Sequence, residues 1–283
     1  MFKLFKRKKS DPAEELKDIL EGYELPSFPA AVMNVLSMLR DPESSMIAIA
    51  EMIKVDPGMN VRVLGTVNSA AFGLASKVSN IQHAVTLLGR SRLEAIILSL
   101  AVRDSIPRAK ASCFDIGEFW RTSARRASLA RLLAHQLHPV TETESFTAGL
   151  LQDMGIPVLV DIKKEGYCEL LNRYYENRSS NIEELEREAF GFDHQTIGGL
   201  MAEKWELPEY MVNAIGNHHG GADEGGVDPA IYLVSLLREY DQPEGNEMLF
   251  RVAENDFGIR KEEMLDAINS AFQDAEEFSE LLS

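Results

Sequence analysis

The sequence predicts an all-α protein. Three observations carry that prediction: apolar residues recur at spacings of three and four along most of the chain, alternation typical of strands is scarce, and residues that begin or end helices separate the periodic segments. The segment 28–41 illustrates them, because Pro29 suits the first position of a helix and Asp41 lies near its stop. Composition agrees, since 45% of the 283 residues are hydrophobic, enough for a substantial core.

The helical segments fall into two groups. In the first, the serines before Met46 can cap a helix that ends before Pro57, and Gly89 can close one helix before Ser91 begins the next. The stretch that starts at Pro107 lacks a strong period and is typical of a join. The pattern therefore predicts two helical lobes and two terminal segments: a basic flexible N-terminus at 1–14, an N-terminal lobe at 15–110, a C-terminal lobe at 111–245 and an acidic helical extension at 246–283.

The charge distribution argues against nucleic acid as a partner. The formal net charge is −16, and the basic head at 1–10 leaves 24 basic against 45 acidic residues in the remainder, a body that repels phosphates. The head, with Phe2, Leu4 and Phe5 among its lysines, either makes weak contact with an anionic membrane surface or is a frayed terminus. The longest apolar run, 95–102, is too short to span a membrane, and no cleavage site follows the head, so the sequence predicts a cytoplasmic protein.

Two sets of reactive residue types are expected to carry no chemistry. Cys113 and Cys168 lie far apart and form no Cys-x-x-Cys or His/Cys cluster, so we expect ordinary thiols and neither a disulfide framework nor a zinc site. The carboxylates of one acidic helix are expected to form a solvated face: Glu183, Glu184, Glu186 and Glu188.

Four residues of the C-terminal lobe are candidates for metal-dependent hydrolysis: Asp153, His194, His218 and His219. That chemistry needs neutral imidazoles and carboxylates that converge on a cation, which acidifies a water or bridges phosphate oxygens. His218 continues the apolar face of a helix that begins after Pro208, so we expect its ring to point inward. An inward histidine is more often a satisfied core group than a ligand. The segment 147–160, which holds Asp153, reads as the end of an amphipathic helix closed by Gly155 and Pro157.

Several segments together resemble the HDOD domain, the HD-related output domain, a non-catalytic relative of the HD and HD-GYP phosphohydrolases. They include TAGLLQDMG at 147–155, DHQTIGGLMAEKWELPEYMVNAIGNHH at 193–219, NSAAFG at 68–73 and AVTLLG at 84–89. The last two are the most specific, because ordinary HD hydrolases lack them. The resemblance covers roughly residues 25–240 and implies a two-lobed helical HDOD fold with an HD-like C-terminal lobe.

The resemblance also implies that a metal site has degenerated. Thr122 stands where catalytic relatives have their first histidine, Gln152-Asp153 where they have a His-Asp pair, and Leu236 or its neighbour Ser235 where a late aspartate is expected. A hydroxyl and a neutral amide are much poorer ligands for a transition metal than imidazole, and a lost carboxylate removes charge compensation. We therefore expect no catalytic residue, no cofactor and no two-metal centre.

Two functions stay open. The first, favoured by the missing ligands, is a non-enzymatic regulatory module of bacterial signal transduction that binds a signalling protein in trans. The alternative is a metal-dependent phosphohydrolase or phosphodiesterase with an altered ligand set, acting on a nucleotide or a cyclic dinucleotide. It would use a residual single-metal site of Asp153, His194 and either His218 or His219.

Two surfaces are candidates for binding a ligand or a partner. Arg121, Arg125 and Arg126 share one helix and either hold the phosphate of a small nucleotide or form salt bridges within this acidic protein. Asn68 and Phe72 belong to a loop that either docks a partner or is a structural connection. In the second case Asn68 caps backbone groups and Phe72 fills the core.

Overall fold

Helices account for nearly all regular structure in the part of the chain that the computed structural model describes, residues 20, 22, 24, 27–69, 77–107, 111–176, 181–220, 227–238 and 246–282. Those residues contain no strand, and their isolated β-bridge joins Ala111 to Phe114. The predicted all-α fold is confirmed. None of the described helices combines the length and the apolar character that a membrane crossing requires.

The described residues of the N-terminal half form four helices. They are α1 Ala30–Arg40, α2 Met46–Val55, α3 Pro57–Val67 and α4 Ile81–Ser105. Side-chain caps mark the starts of two helices. The Ser45 side chain accepts a hydrogen bond from the Ala48 amide at the start of α2, and the Asp56 side chain accepts one from the Met59 amide at the start of α3. Gly89 has a φ of 71°, which favours glycine, and kinks α4 where the sequence predicts a boundary between two helices.

The C-terminal half is built around one long helix, α5. Its described helices are α5 Ile116–Leu137, α6 Glu142–Leu151, α7 Gly155–Lys163, α8 Glu165–Glu176, α9 Ile182–Phe190, α10 His194–Lys204, α11 Glu209–Asn217, α12 Pro229–Ser235, α13 Glu247–Phe257 and α14 Lys261–Leu282. α5 packs against α6, α12 and the C-terminal α14. The acidic α14 thus covers its own chain, where the rings of Phe278 and Phe146 lie 5.5 Å apart between centroids.

Apolar residues form two clusters that meet at α5. The larger one runs through both halves of the chain and includes Val35, Ile97 and Met201, all fully buried. The smaller one fills the space between α5, α12, α13 and α14, and includes Leu129 and Leu233. Ala127 belongs to the first cluster and its near neighbour Leu129 to the second, so α5 separates the two cores. Polar side chains of α5 can therefore contact residues near either of the two apolar clusters.

The segment 147–160 differs from the prediction. α6 ends at Leu151, and Gly155, expected to close that helix, begins α7 instead. Pro157 lies in the first turn of α7, where the missing N–H of proline would have no helical partner in any case. Gln152 and Asp153 therefore lie in a short turn between two helices.

The prediction of two ordinary thiols is wrong. Cys113 and Cys168 form a disulfide, and their Cα atoms lie 5.4 Å apart although 55 positions separate them in sequence. The join before α5 folds back onto α8 and brings the two residues together. No local pattern in the sequence encodes that approach, because it depends on how distant helices pack.

Candidate functional site

Four side chains from three separate parts of the C-terminal half converge on one place. One ligand atom from each of Asp153, His194, His218 and His219 lies within 4.8 Å of the other three. Asp153, His194 and His218 are buried, and His219 is half-buried. We call this group the buried histidine cluster.

Close helix packing places the turn that holds Asp153 against the start of α10. A Cβ atom on Gly155 would lie 2.2 Å from the carbonyl oxygen of His194, so only glycine permits this approach. α10 begins at His194 because the Asp193 carboxylate caps the helix and accepts a hydrogen bond from the Thr196 amide at 2.8 Å. His218 follows α11 on its apolar face, and its ring points inward as predicted.

Hydrogen bonds fix how the two buried rings are protonated. His194 Nδ1 lies 2.6 Å from Glu186 Oε2, and His218 Nδ1 lies 2.9 Å from the carbonyl oxygen of Ile215. Both partners are acceptors, so each Nδ1 carries a proton. The two Nε2 atoms then face each other at 3.1 Å, and a hydrogen bond between them needs one more proton on one of the rings.

The pKa shifts of the two rings have opposite directions. Burial alone would lower the pKa of His194, but the Glu186 carboxylate and the neighbouring Asp193 outweigh burial and raise it. Burial and the adjacent His194 hold the pKa of His218 well below its ordinary value. Burial, with His218 and His194 nearby, does the same for His219. The Glu186 carboxylate therefore favours the protonated form of His194 over that of His218.

Glu186 belongs to the site, although the sequence predicts it on a solvated face. It is fully buried, and its carboxylate accepts hydrogen bonds from the His194 amide at 2.8 Å and from the Tyr167 hydroxyl at 2.5 Å, besides the contact with His194 Nδ1. Burial and Glu186 together raise the pKa of Tyr167, which keeps its hydroxyl protonated as a donor. A sequence signal did exist: Ile182 and Phe190 lie four positions before and after Glu186, and both pack against the core.

Asp153 pairs with an arginine of α5. The Arg126 guanidinium forms an ion pair with Asp153 Oδ2, and it also donates to the Leu237 carbonyl at 3.2 Å, just beyond α12. The other oxygen, Oδ1, lies 3.3 Å from His218 Nε2 and 3.6 Å from His194 Nε2. Asp153 therefore divides its two oxygens between a fixed cation and the two imidazoles.

The remaining positions predicted for a degenerate metal site do not join the cluster of ligand atoms. Gln152 is fully buried, and neither polar atom of its amide has a hydrogen-bond partner within the described residues. Thr122 lies on α5 one helical turn before Arg126. Leu236 caps the end of α12 and packs against the smaller apolar core, next to the buried Ser235.

The family comparison agrees with this architecture. A family model described as the HDOD domain matches residues 25–220, more than half of the chain. The chain belongs to the HDOD family. That family is related to the HD phosphohydrolases, and the buried histidine cluster lies in the HD-like lobe.

Several solved structures share the fold across nearly the whole chain. An HDOD domain protein of unknown function from Geobacter sulfurreducens has a TM-score of 0.73 and 20% identity, covering 96% of this chain and 98% of that one. A candidate phosphohydrolase from Shewanella amazonensis has a TM-score of 0.74 and 22% identity, covering 96% and 99%. A candidate signal transduction protein from Marinobacter aquaeolei has a TM-score of 0.72 and 16% identity, covering 98% of this chain and 62% of that one.

Two bacterial relatives are longer than this chain. An uncharacterized protein of Treponema pallidum is 25% identical over 199 residues, which is 69% of this chain and 38% of that protein. The uncharacterized protein YuxH of Bacillus subtilis is 26% identical over 118 residues, 42% of this chain and 28% of that protein. The chain thus spans well under half the length of these curated relatives.

The arginines of α5 in this HDOD chain all contact acidic or aromatic groups. Arg121 pairs with Glu118, and Arg125 lies 3.9 Å from a Glu118 oxygen and 5.0 Å from the centre of the Phe272 ring. Together with the pair between Arg126 and Asp153, these contacts favour the salt-bridge alternative for the arginine surface. Binding of a phosphate there stays a prediction.

The side chain of Asn68, at the end of α3, forms hydrogen bonds with backbone groups. Its amide donates to the Val78 carbonyl at 2.8 Å and accepts from the Val78 amide at 2.7 Å, and it also donates to the Leu64 carbonyl at 2.8 Å. These bonds close the loop between α3 and α4 at its base, which favours the structural alternative. Phe72 lies outside the described residues, as do the basic head at 1–10 and its predicted membrane contact.

Proposed function

We propose that this chain is a non-catalytic HDOD module of bacterial signal transduction, which acts by binding a signalling protein in trans. The observation that carries the proposal is the ion pair between Arg126 and Asp153. Asp153 is the surviving half of the His-Asp pair implied by the resemblance, and its carboxylate is already neutralised by a side chain of the protein.

The residues present do not fit a two-metal phosphohydrolase centre. Such a centre clamps the attacking and leaving oxygens between two cations and needs several imidazoles and carboxylates around them. Here the amide of Gln152 and the hydroxyl of Thr122 stand at two implied ligand positions, and the Arg126 guanidinium adds a positive charge beside the third. A positive charge at that point disfavours a second cation by repulsion.

One observation favours the alternative, a phosphohydrolase with an altered ligand set. Asp153, His194, His218 and His219 converge closely enough to hold a metal ion. One metal ion in such a site can acidify a water, so a hydrolase acting on a nucleotide or cyclic dinucleotide is the second candidate function. The two candidates differ in whether any substrate turns over.

A turnover assay separates them. The full chain is loaded in turn with Mn²⁺, Fe²⁺, Zn²⁺ and Mg²⁺ and incubated with nucleoside monophosphates, nucleoside triphosphates and cyclic dinucleotides. We expect no hydrolysis above that of an Asp153→Asn variant measured in parallel. Hydrolysis by the parent chain that Asp153→Asn abolishes would establish the hydrolase instead.

The partner requires a separate measurement. Crosslinking in the source bacterium, followed by capture of the full chain, should recover a signalling protein whose binding persists in Asp153→Asn, because the proposed contact needs no intact metal ligands. The predicted cytoplasmic location places such a partner in the cytoplasm. A small nucleotide as an additional ligand would appear as saturable binding that Arg121→Ala and Arg125→Ala weaken.

A further inference from the structure

The disulfide between Cys113 and Cys168 is partly accessible from solvent. Both residues are half-buried, and the bond joins the segment before α5 to the beginning of α8. A chain of 283 residues with two apolar clusters is large enough to fold without a crosslink, unlike small disulfide-rich domains. The cytoplasm, where the sequence predicts this protein, keeps thiols reduced, and the disulfides found there are mostly transient, catalytic or redox-sensing. Position and setting therefore favour a reversible bond over a permanent crosslink.

The start of α8 makes the Cys168 sulfur the better leaving group. Cys168 is the fourth residue of α8, and its amide donates to the Lys164 carbonyl at 3.1 Å in the first turn. The dipole of a helix stabilises a thiolate near its N-terminus, and the more stable thiolate leaves faster in exchange. Attack is therefore expected at Cys113. Since the sequence holds two cysteines, the released Cys168 is also the thiol that can form the bond again.

Hydrogen bonds connect the disulfide to the two helices that follow α8. Tyr167, next to Cys168 in sequence, is fully buried, and its ring stacks on that of Phe190 with 6.2 Å between centroids. The Tyr167 hydroxyl donates to Glu186 Oε1 at 2.5 Å, and Glu186 Oε2 accepts from the His194 amide at 2.8 Å. The Tyr167 hydroxyl thus links α8, which the disulfide fastens, to α9 and to the start of α10.

We propose that Cys113 and Cys168 form a reversible redox site that exchanges with a low-molecular-weight thiol, and that its reduction loosens the contact of α8 with α9 and the start of α10. In this role Tyr167 is a positioning residue, because it passes the change from the disulfide to Glu186. The inference goes beyond the proposed function, because the exchange requires neither a partner protein nor turnover of a substrate.

The exchange proceeds in two balanced steps. The thiolate of one small thiol attacks Cys113 Sγ, the bond between the two protein sulfurs breaks, and its electron pair leaves on Cys168 Sγ. A second small thiol attacks the sulfur of the first in the mixed disulfide and releases Cys113 as a thiolate. Two small thiols are thereby oxidised to one small disulfide, and the two protons that they lose end on the two cysteines. An excess of the small disulfide drives the same steps backward.

The first test is a redox titration of the full chain in mixtures of reduced and oxidised glutathione, with thiols trapped by an alkylating reagent and counted by intact-mass spectrometry. We expect complete reduction by about 10 mM reduced glutathione, recovery of the disulfide with oxidised glutathione, and the same midpoint from both directions. Cys168→Ser lacks the resolving thiol, so oxidised glutathione should leave a stable adduct on Cys113, whereas the parent chain should accumulate none.

Hydrogen exchange followed by NMR measures the coupling to α10. Reduction should accelerate exchange of the His194 amide about tenfold or more, and exchange in α1, in the other half of the chain, should change less than about twofold. Tyr167→Phe removes the hydroxyl that Glu186 accepts, so its His194 amide should exchange fast already in the oxidised chain and respond less than about twofold to reduction. Tyr175→Phe, at a more exposed tyrosine of the same helix, is the matched control and should respond like the parent chain.

Three results would overturn the proposal: a disulfide that glutathione leaves intact, acceleration on reduction that is absent at His194 or equally large in α1, or a Tyr167→Phe variant that responds to reduction like the parent chain. The titration uses the parent chain without a substitution, so misfolding of a variant cannot imitate its result. Capture of a partner and the turnover assay decide the proposed function separately. Reversible reduction without a captured partner supports the redox site alone, and a captured partner with an irreducible bond supports the proposed function alone.

Discussion

Two groups of side chains in the C-terminal half each combine histidine with aspartate. They differ in the groups that their nitrogen and oxygen atoms contact. In the first, the buried histidine cluster, His194 Nε2, His218 Nε2 and Asp153 Oδ1 face one another. The second lies at the start of α12, and we call it the α12 capping cluster: His138, Thr141, Ser145 and Asp228.

The α12 capping cluster is saturated by donors. Asp228 caps α12 by accepting a hydrogen bond from the Ala230 amide at 2.8 Å. Its second oxygen lies 3.0 Å from the hydroxyl oxygens of both Thr141 and Ser145, which act as donors. His138 Nε2 lies 2.9 Å from Asp228 Oδ1 but forms no hydrogen bond with it.

The comparison teaches that proximity of histidine to aspartate does not by itself indicate a ligand site. What distinguishes the buried histidine cluster is that two imidazole nitrogens and a carboxylate oxygen meet in a buried place, while acceptors on the outside fix the orientation of both rings. The acceptors of the α12 capping cluster are used to cap the start of α12, so this cluster has a structural task.

The largest effect is expected for Glu186→Ala. The substitution leaves the Tyr167 hydroxyl, the His194 amide and His194 Nδ1 without their buried acceptor, and it removes the carboxylate that balances His194. Loss of one partner from a buried ionic network costs about 3–5 kcal/mol. Chemical denaturation followed by circular dichroism should show a fall of that size in the free energy of unfolding.

A neighbour on the same helix provides the control. Glu184 is exposed, and Glu184→Ala should change the free energy of unfolding by less than about 0.5 kcal/mol. If Glu186→Ala changed the free energy of unfolding as little as Glu184→Ala, the buried histidine cluster would not depend on the Glu186 carboxylate. Its contrast with the α12 capping cluster would then be lost.

The disulfide is expected to have the next largest effect, because it fastens the helix that carries Tyr167. Cys168 follows Tyr167 on α8, and its bond to Cys113 closes a loop of 55 positions. The loop-closure model gives about 4 kcal/mol for a loop of this length, with about 2–4 kcal/mol typical of measured cases. Calorimetry should show a lower melting temperature for the Cys113→Ser, Cys168→Ser double variant and for the parent chain in a reductant.

The double variant supplies the internal check on that measurement. A reductant should lower the melting temperature of the parent chain and leave the double variant unchanged. Equal melting temperatures for the parent chain with and without reductant, at full thiol exposure by a thiol-reactive dye, would contradict a stabilising role for the Cys113–Cys168 bond.

A smaller effect is expected for Asp228→Ala, which removes the α12 cap and leaves the two hydroxyls of the capping cluster without their acceptor. Loss of a helix cap costs about 1–2 kcal/mol. Asp228→Asn keeps an acceptor for the Ala230 amide and should recover most of the loss. Chemical denaturation should show this order, and an Asp228→Asn variant no more stable than Asp228→Ala would contradict the capping role of Asp228.

Local patterns in the sequence predict the fold and half of the site. Helix periods, the caps at Ser45 and Asp56 and the break at Gly89 are decided within a few residues, so they can be read directly. The inward ring of His218 follows from the apolar face of α11 in the same way. These features need no knowledge of which helices meet.

The other half of the site depends on contacts between distant segments. The sequence places Arg126 in a surface cluster of arginines, whereas its partner Asp153 lies in the turn between α6 and α7. Glu186 reads as one carboxylate among four, although its position between Ile182 and Phe190 places it on the apolar side of α9. The three neighbouring carboxylates make the buried Glu186 hard to recognise from the sequence. No local pattern predicts the pairing of Cys113 with Cys168.

The smallest effect should have the opposite sign. Both polar atoms of the buried Gln152 amide lack a hydrogen-bond partner within the described residues, a situation that costs about 1–3 kcal/mol per buried group. Gln152→Met keeps the length and flexibility of the side chain while removing those atoms, so the free energy of unfolding should rise by about 1 kcal/mol.

The matched control for Gln152→Met is a second buried glutamine beside the same cluster. Gln195 accepts a hydrogen bond from the His219 amide at 3.0 Å, so Gln195→Met removes a satisfied acceptor and should lower the free energy of unfolding by about 1–2 kcal/mol. Changes of opposite sign in the free energy of unfolding would show that no hydrogen bond within the protein stabilises Gln152. A destabilised Gln152→Met would instead mean that its amide has a polar partner, such as an ordered water, and would tie this position to the buried histidine cluster more closely than its protein contacts do.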